Sequence, residues 1–426
     1  MGYRTKVSRR FSGGFMTALF VFMVAVQHDV AGGDWPQFRG PNRDGKAVAG
    51  HDLLPAWPDE GLEPVWVYEG LGEGYSSAAV TEDGVYITGM EGEEGFVYAL
   101  DAQGGLRWKS SYGRDWPRSY RGARTTPTVR DGRVYVMSGQ GRAVCFDAAT
   151  GREIWAVETA QVFGARNITW GITESPLVLD GMAVFSPGGP EAGVVALDAR
   201  TGETRWVTAG VDDASGYCSP IVVRRGNRTV IAQLMATTFI GIDASDGALL
   251  WRVPREPRPA HGIQAVSPVT DDGRIYITSG YRGRRGELFA LSADGAQVTR
   301  QWRDAHLDAQ LGGLVVLDGR VYGASHGNHR NQWLCLNLDN GEVEASLRGV
   351  GKGSVVWADG LLYTLGENGT MGLVDPDPSD FRMISSFTVP RAGGGPHWAH
   401  PSIAHGRLFI RHQSTLFVYD LRATDR

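Results

Sequence analysis

Histidines, arginines and tryptophans lying between repeated strand motifs are the side chains of this 426-residue sequence with chemistry to offer. His326-x-x-His329 and His397-x-x-His400 each carry the ligand types of half a metal site. Both lie on loop sequence, where spacing does not fix ligand geometry as one helix face would, so they are read as solvated loop histidines. Cys145, Cys218 and Cys335 are odd in number, widely spaced and match no metal motif; they read as small apolar residues in separate strands. No His-Glu-x-x-His or haem-attaching Cys-x-x-Cys-His occurs. What remains is a set of bulky or charged residues where a repeat needs only small or turn residues: Arg121, Arg124, Arg166, Trp170, His261, Lys352, His397 and Trp398. Arg and Trp are enriched at interaction hot spots, so these eight form the candidate ligand or partner face. No catalytic residue and no metal site is assigned.

The elements that must position them repeat along the chain. A turn followed by an alternating strand occurs at Asp83-Gly84, Asp131-Gly132, Asp180-Gly181, Arg225-Gly226, Asp272-Gly273, Asp318-Gly319, Asp359-Gly360 and His405-Gly406, with glycines 41–49 residues apart. Asp-Gly between alternating apolar runs is a strong hairpin signal, because the turn needs positive φ. A second element follows each hairpin, clearest as Phe146-Asp147-Ala148…Thr150-Gly151…Trp155 and Leu197-Asp198-Ala199…Thr201-Gly202…Trp206. The Asp hydrogen-bonds its own turn, and the Trp begins a fourth strand. Each unit is therefore four short antiparallel strands. One such sheet cannot bury both faces, so copies must stack around an axis.

The count gives eight blades. Seven units own a fourth strand, while the eighth stops near Asp420, and an orphan strand at 64–68 (Pro64 to Tyr68) precedes the first hairpin. Moving that strand to the end predicts an all-β, eight-bladed propeller of four-stranded antiparallel blades over 64–422, its ring closed by pairing 64–68 with 416–420. No Trp-Asp dipeptide is present and Gly-Gly pairs do not recur once per unit, so WD40 and kelch propellers do not fit. The Leu-Asp-Ala-x-Thr-Gly-x-x-x-Trp element resembles the PQQ-type repeat shared by quinoprotein dehydrogenases and the BamB outer-membrane assembly family. The segment Asp34-Trp35-Pro36-Gln37-Phe38-Arg39-Gly40 is similar to the Trp-rich opening of exported proteins with this repeat.

That resemblance implies a fold shared by enzymes and scaffolds. The enzymatic branch would hold a quinone over Ca²⁺ in the channel, with an adjacent Cys pair beneath it and long inter-blade insertions. This chain has no Cys-Cys, its units are short, and Glu174 and Asn167 are the residues to consider as ligands without a matched base. PQQ with Ca²⁺ is therefore not expected, and no cofactor is assigned. The expectation is a non-catalytic scaffold, BamB-like in fold, binding a protein, peptide or small-molecule partner. A carbohydrate-binding or sensor propeller is a further alternative, suggested by Tyr75, Trp116, Trp170 and Trp398. Ser175, Ser219 and Ser267, each before a proline, read as hydroxyls that satisfy loop backbone.

Composition bounds the rest. Glycine numbers 59, net charge is −5 and charged residues make up 21 %, which excludes disorder and offers no basic footprint for nucleic acid. Arg4, Lys6, Arg9 and Arg10 precede a largely apolar run from Phe15 to Val26, with small residues at Val30-Ala31-Gly32. This reads as a cleavable signal peptide over 1–32, too short to span a bilayer. The domain expectation is that leader, an N-terminal extension over 33–63, the propeller and a tail at 423–426. The expected product is a monomer in the periplasm or secreted, with an envelope protein or small ligand as partner.

Overall fold

A computed structural model of the chain describes residues 1–2, 33–48, 52–256, 260–281 and 285–423. The leader expected over 1–32 thus lies outside the described residues, apart from Met1 and Gly2. Eight four-stranded antiparallel sheets follow one another around a ring. Seven are consecutive: blade 1 over 79–114, blade 2 over 128–158, blade 3 over 177–207, blade 4 over 221–254, blade 5 over 269–304, blade 6 over 315–347 and blade 7 over 353–388. Blade 8 combines three strands over 402–420 with the strand Trp66–Glu69.

That seam has the expected partners. Trp66 faces Val418, Val67 faces Phe417, Tyr68 faces Leu416 and Glu69 faces Thr415, and the Val65 amide extends the ladder to the Val418 carbonyl at 2.7 Å. Closure removes the open strand edge that an incomplete eighth blade would expose. Among the described residues one α-helix, Thr159–Phe163, sits between blades 2 and 3, ending at Gly164 in the left-handed region.

Local chemistry explains the repeat. At six hairpins both turn residues take positive φ, from Asp131 (50°) and Gly132 (69°) to His405 (51°) and Gly406 (72°). This geometry matches the twist of the flanking strands. In the second element, Asp147 accepts the Thr150 amide at 2.9 Å and Asp198 accepts that of Thr201 at 3.0 Å.

In blades 1, 2, 3 and 5 the Trp then latches the blade to the next. Trp108 donates its indole N–H to Ala148, Trp155 to Ala199, Trp206 to Ala244 and Trp302 to Leu338, at 3.0–3.1 Å. Each indole lies over the glycine of that neighbouring turn. A Cβ on Gly151 would meet Trp108 at 2.6 Å, and one on Gly202 would meet Trp155 at 2.9 Å. The glycine is there to admit the ring. Trp251 holds the equivalent strand position but folds against Gly241 of its own blade, and its indole N–H has no partner among the described residues.

At the opposite face the connections between blades start the innermost strands. Here a hydroxyl chain runs from blade to blade: the Ser77 amide donates to Thr126 Oγ1, Thr126 to Ser175 Oγ, Ser175 to Ser219 Oγ and Ser219 to Ser267 Oγ, all at 2.9–3.0 Å. The backbone role expected of Ser175, Ser219 and Ser267 is the observed one.

The N-terminal extension does more than precede the ring. Trp35 exchanges two hydrogen bonds with Val80 of blade 1, Pro36 accepts from Val129 of blade 2, and Ala47 donates to Trp357 of blade 7. Between them Arg43 donates to the carbonyls of Ser175, Pro176 and Pro220 at 2.8–2.9 Å. Arg39 reaches the other wall, at Leu314 and Val355. The segment 35–47 therefore crosses the central channel and plugs it. Burial lowers both guanidinium pKa values to about 10, so both remain cations; carbonyls accept from most of their donors, while the buried Arg39 Nε–H has no partner among the described residues.

Candidate functional site

Above the plug, the inter-blade connections converge on a cavity of about 350 Å³ at the channel mouth. Its floor is Phe38 of the plug and His400, whose rings sit 5.0 Å apart. Its walls come from different blades. Tyr75 and Tyr120 flank Trp398 at centroid distances of 5.2 and 5.1 Å. Trp170 lies 6.2 Å from Tyr217 and 5.6 Å from His261. Tyr281, Gln310 and Leu311 complete the circuit.

Among the described residues the lining contains no carboxylate, and Arg124 is its one guanidinium, with donors turned onto the carbonyls of Trp170, Ser119 and Tyr120. His400 is neutral: burial, then the nearby Arg39 charge, push its pKa down to about 3. Its Nε2 lies 3.1 Å from the Leu311 carbonyl. Burial raises the Cys218 thiol to about 12, so no thiolate nucleophile faces the cavity.

Of the eight residues expected on the binding face, Arg124, Trp170 and Trp398 line this cavity and His261 stands at its edge against Trp170. The others do not line it. Arg121 pairs with Glu73 at 2.5 Å and donates to the Gly92 carbonyl. Arg166 is exposed on the rim. Lys352 sits behind the wall, donating to Gln310 and pairing with Glu367 at 3.3 Å. His397 is buried and stacked on His412 at 4.0 Å. The reading of these loop histidines as solvated fails for His397 and His400, because the plug and the loop before blade 8 cover them. Burial, with His412 beside it, lowers His397 to about 4.

The two residues considered as ligands serve the backbone instead. Glu174 accepts the Ser186 amide with both oxygens, at 2.9 and 3.1 Å, and burial raises its pKa to about 7. Asn167 donates to Gly139 and Gln140. Among the described residues no three His, Cys, Asp or Glu side chains converge as metal ligands, and all three cysteines are buried and free. One spacing passed over in the sequence is Gly323-Ala324-Ser325-His326-Gly327, which has the form of a nucleophile elbow. Ser325 is fully buried and donates to Asp308, so it presents no nucleophile. Sequence reasoning also missed Tyr120 and Tyr281, which carry no repeat signature and become visible only when blades 1 and 5 face one axis.

Comparison with known proteins fits this geometry. The family model described as outer membrane protein assembly factor BamB matches residues 93–347. The chain belongs to that family. Its similarity extends in two directions. It is 26 % identical over 279 residues to the outer membrane protein assembly factor BamB of Burkholderia pseudomallei, covering 64 % of this chain and 66 % of that one. It is 34 % identical over 151 residues to the quinohemoprotein alcohol dehydrogenase ADH-IIG of Pseudomonas putida, covering 33 % of this chain and 20 % of the enzyme. The chain thus spans a fifth of that enzyme's length and just under two thirds of that BamB. The crystal structure of BamB from Moraxella catarrhalis superposes with a TM-score of 0.61 at 14 % identity, over 84 % of this chain and 99 % of the other. This last likeness is one of fold. Among the described residues no helix is long and apolar enough to cross a membrane.

Proposed function

We propose that this BamB-family propeller is a non-catalytic binding protein that takes hold of its partner at the channel mouth. The observation that carries the reading is the cavity over the plug: aromatic walls from several blades, no carboxylate in its lining and a closed floor. Aromatic-lined concave sites with a few polar groups are the usual form of ligand pockets. The chain is taken to act in the periplasm or outside the cell, in keeping with the Arg/Lys-rich, apolar start of the sequence.

The quinoprotein alternative draws on the partial match to an alcohol dehydrogenase. The residues here do not fit a quinone held over Ca²⁺. The one thiol at the cavity, Cys218, has no neighbouring cysteine, and the lining supplies no carboxylate ligand or base. No step through such a group is derived.

The test is capture of partners from envelope extract. Trp170→Ala and Trp398→Ala are expected to lose the main partner while melting temperature barely moves. Retention of the partner in both variants, with loss on changing the turn-face residues Arg133, Arg274 and Arg320, would place binding on the wrong side of the disk. Saturable binding of PQQ with Ca²⁺ and reduction of an artificial acceptor would restore the enzymatic reading.

A further inference from the structure

Resting on the mouth as the binding site, we propose that its ligand is a neutral saccharide unit, held by aromatic faces around its C–H surfaces and by phenol and amide groups at its hydroxyl edges.

Charge excludes two classes. A cationic ligand would meet no carboxylate and would share the cavity with the Arg124 guanidinium. A carboxylate ligand ordinarily wants a free arginine fork, and that of Arg124 is closed onto the Trp170, Ser119 and Tyr120 carbonyls. Within the lining histidine adds no charge, since His400 is buried and neutral and His261 stands only at the edge. What the cavity accepts is uncharged.

Shape separates the uncharged ligands. A flat ring is best held in a slot between two parallel faces. The lining rings are instead tilted: 45° between Tyr75 and Trp398, 49° between Tyr120 and Trp398, and 59° between Trp170 and Tyr217. Among the described residues the one stacked ring pair, His397 on His412 at 27°, lies outside the cavity. Tilted faces set around a bowl fit a puckered, C–H-rich body. A plain hydrocarbon would satisfy the faces but waste the polar groups among them. Tyr75, Tyr120 and Tyr281 bring hydroxyls, and Gln310 brings an amide already oriented by Lys352. Tyr and Trp suit this task because each joins an apolar body to a hydrogen-bonding tip. The volume, about 350 Å³, falls at the small end of ligand pockets. It therefore holds a terminal residue of a glycan rather than a long chain segment.

The experiment is titration of the whole protein with glucose, N-acetylglucosamine, maltose and cellobiose, read by calorimetry and tryptophan fluorescence. Adenosine and a neutral aromatic peptide serve as competing classes. At least one sugar is expected to saturate with a change in tryptophan emission, and its affinity should hold from about 50 mM to about 500 mM salt because no ion pair is made. Trp398→Ala and Trp170→Ala should weaken it about tenfold or more, the scale of a hot spot. Tyr281→Phe, which keeps the ring and removes the hydroxyl, should weaken it several-fold. Saturation by adenosine or the peptide with no response to any sugar overturns the saccharide and leaves the mouth as a binding site. Sugar binding untouched by all three variants overturns the assignment of the ligand to this cavity. Absence of all binding, with extract partners still captured by the tryptophan variants, overturns both readings.

Discussion

The two faces of this disk are built on opposite terms. On the turn face the same contact recurs from blade to blade: an indole over a glycine, its N–H on the carbonyl of the adjoining turn, as between Trp108 and blade 2 or Trp206 and blade 4. At the mouth only the small hydroxyls of Ser175 and Ser219 recur one blade on; the bulky side chains do not. Tyr75, Trp170, Tyr281 and Trp398 come from unrelated positions and meet only because the ring brings them together. The latch side holds the blades, so each latch residue has its contacts inside the protein. The mouth has rings whose faces are left open. If the mouth is the binding face as proposed, stability and recognition fall to different faces, and each should be alterable with little effect on the other.

That separation can be broken from the latch side first. Trp155→Ala removes a buried ring and its hydrogen bond to Ala199, and should cost about 3–5 kcal/mol, the range for a large-to-small change in a packed site. Denaturant titration gives the value, and the folded fraction should keep its mouth ligand. A loss near zero would mean that the latches are not what couples the blades. Arg43→Met tests the plug. It leaves the Ser175 and Pro220 carbonyls without the Arg43 donor, while Pro176 keeps the Thr128 hydroxyl, and unsatisfied buried groups put the cost at about 2–3 kcal/mol. Its effect should reach the mouth too, since Phe38 of the same segment forms the floor.

Smaller again is a dependence on acid. His397 and His400 are held near 4 and 3, below the ordinary value of 6.5. Between those limits the unfolded chain binds protons that the folded chain refuses, so stability falls as pH drops from 6.5 towards 3. Glu174 has the opposite sign. Its folded pKa near 7 lies above the ordinary 4.5, so its contribution is complete below 4.5 and is lost as pH rises to 7. The two effects oppose each other between pH 4.5 and 6.5, and the histidines prevail at the acid end. Melting temperature against pH should show a slope there that His400→Gln flattens; an unchanged slope would move the acid sensitivity elsewhere. The smallest expected change in stability is that of Trp398→Ala, about 1 kcal/mol for a partly buried loop side chain, set against the large loss in binding. A large drop in melting temperature would erase the distinction between the faces.

The sequence carries the turn face almost completely, and the reason is physical. A latch needs Asp to close its turn, glycine to admit a ring and Trp to fill the space. Those needs recur at every blade that latches, so Asp147, Gly151 and Trp155 announce themselves by period. The seam between 66–69 and 415–418 was legible on the same ground, as the one strand lacking a unit. The mouth was legible only in part. Bulk at the start of an innermost strand picked out Arg124, Trp170 and Trp398, which line the cavity, but it could not tell an open ring from a buried one. His397 stacks on His412, and Arg121 is tied to Glu73. The plug was the largest omission. Nothing in Gln37-Phe38-Arg39 has a repeat partner, and its two arginines find their carbonyls on blades more than a hundred residues away.

The seam also sets an order of assembly. Trp66 and Val418 lie some 350 residues apart, and neither can meet its partner until all the intervening blades exist. Local hairpins form first, since contacts between near neighbours cost little loop entropy, whereas the last closure spans nearly the whole chain. The stretch that fills the channel is made before any blade, yet the walls that grip it belong to blades 1 to 4, 6 and 7. The ring must therefore shut around its own leading end. Until it does, blade 8 carries an unpaired edge while the channel stays open to water. A chain emerging from its N-terminus consequently stays vulnerable to aggregation until its final strand is in place.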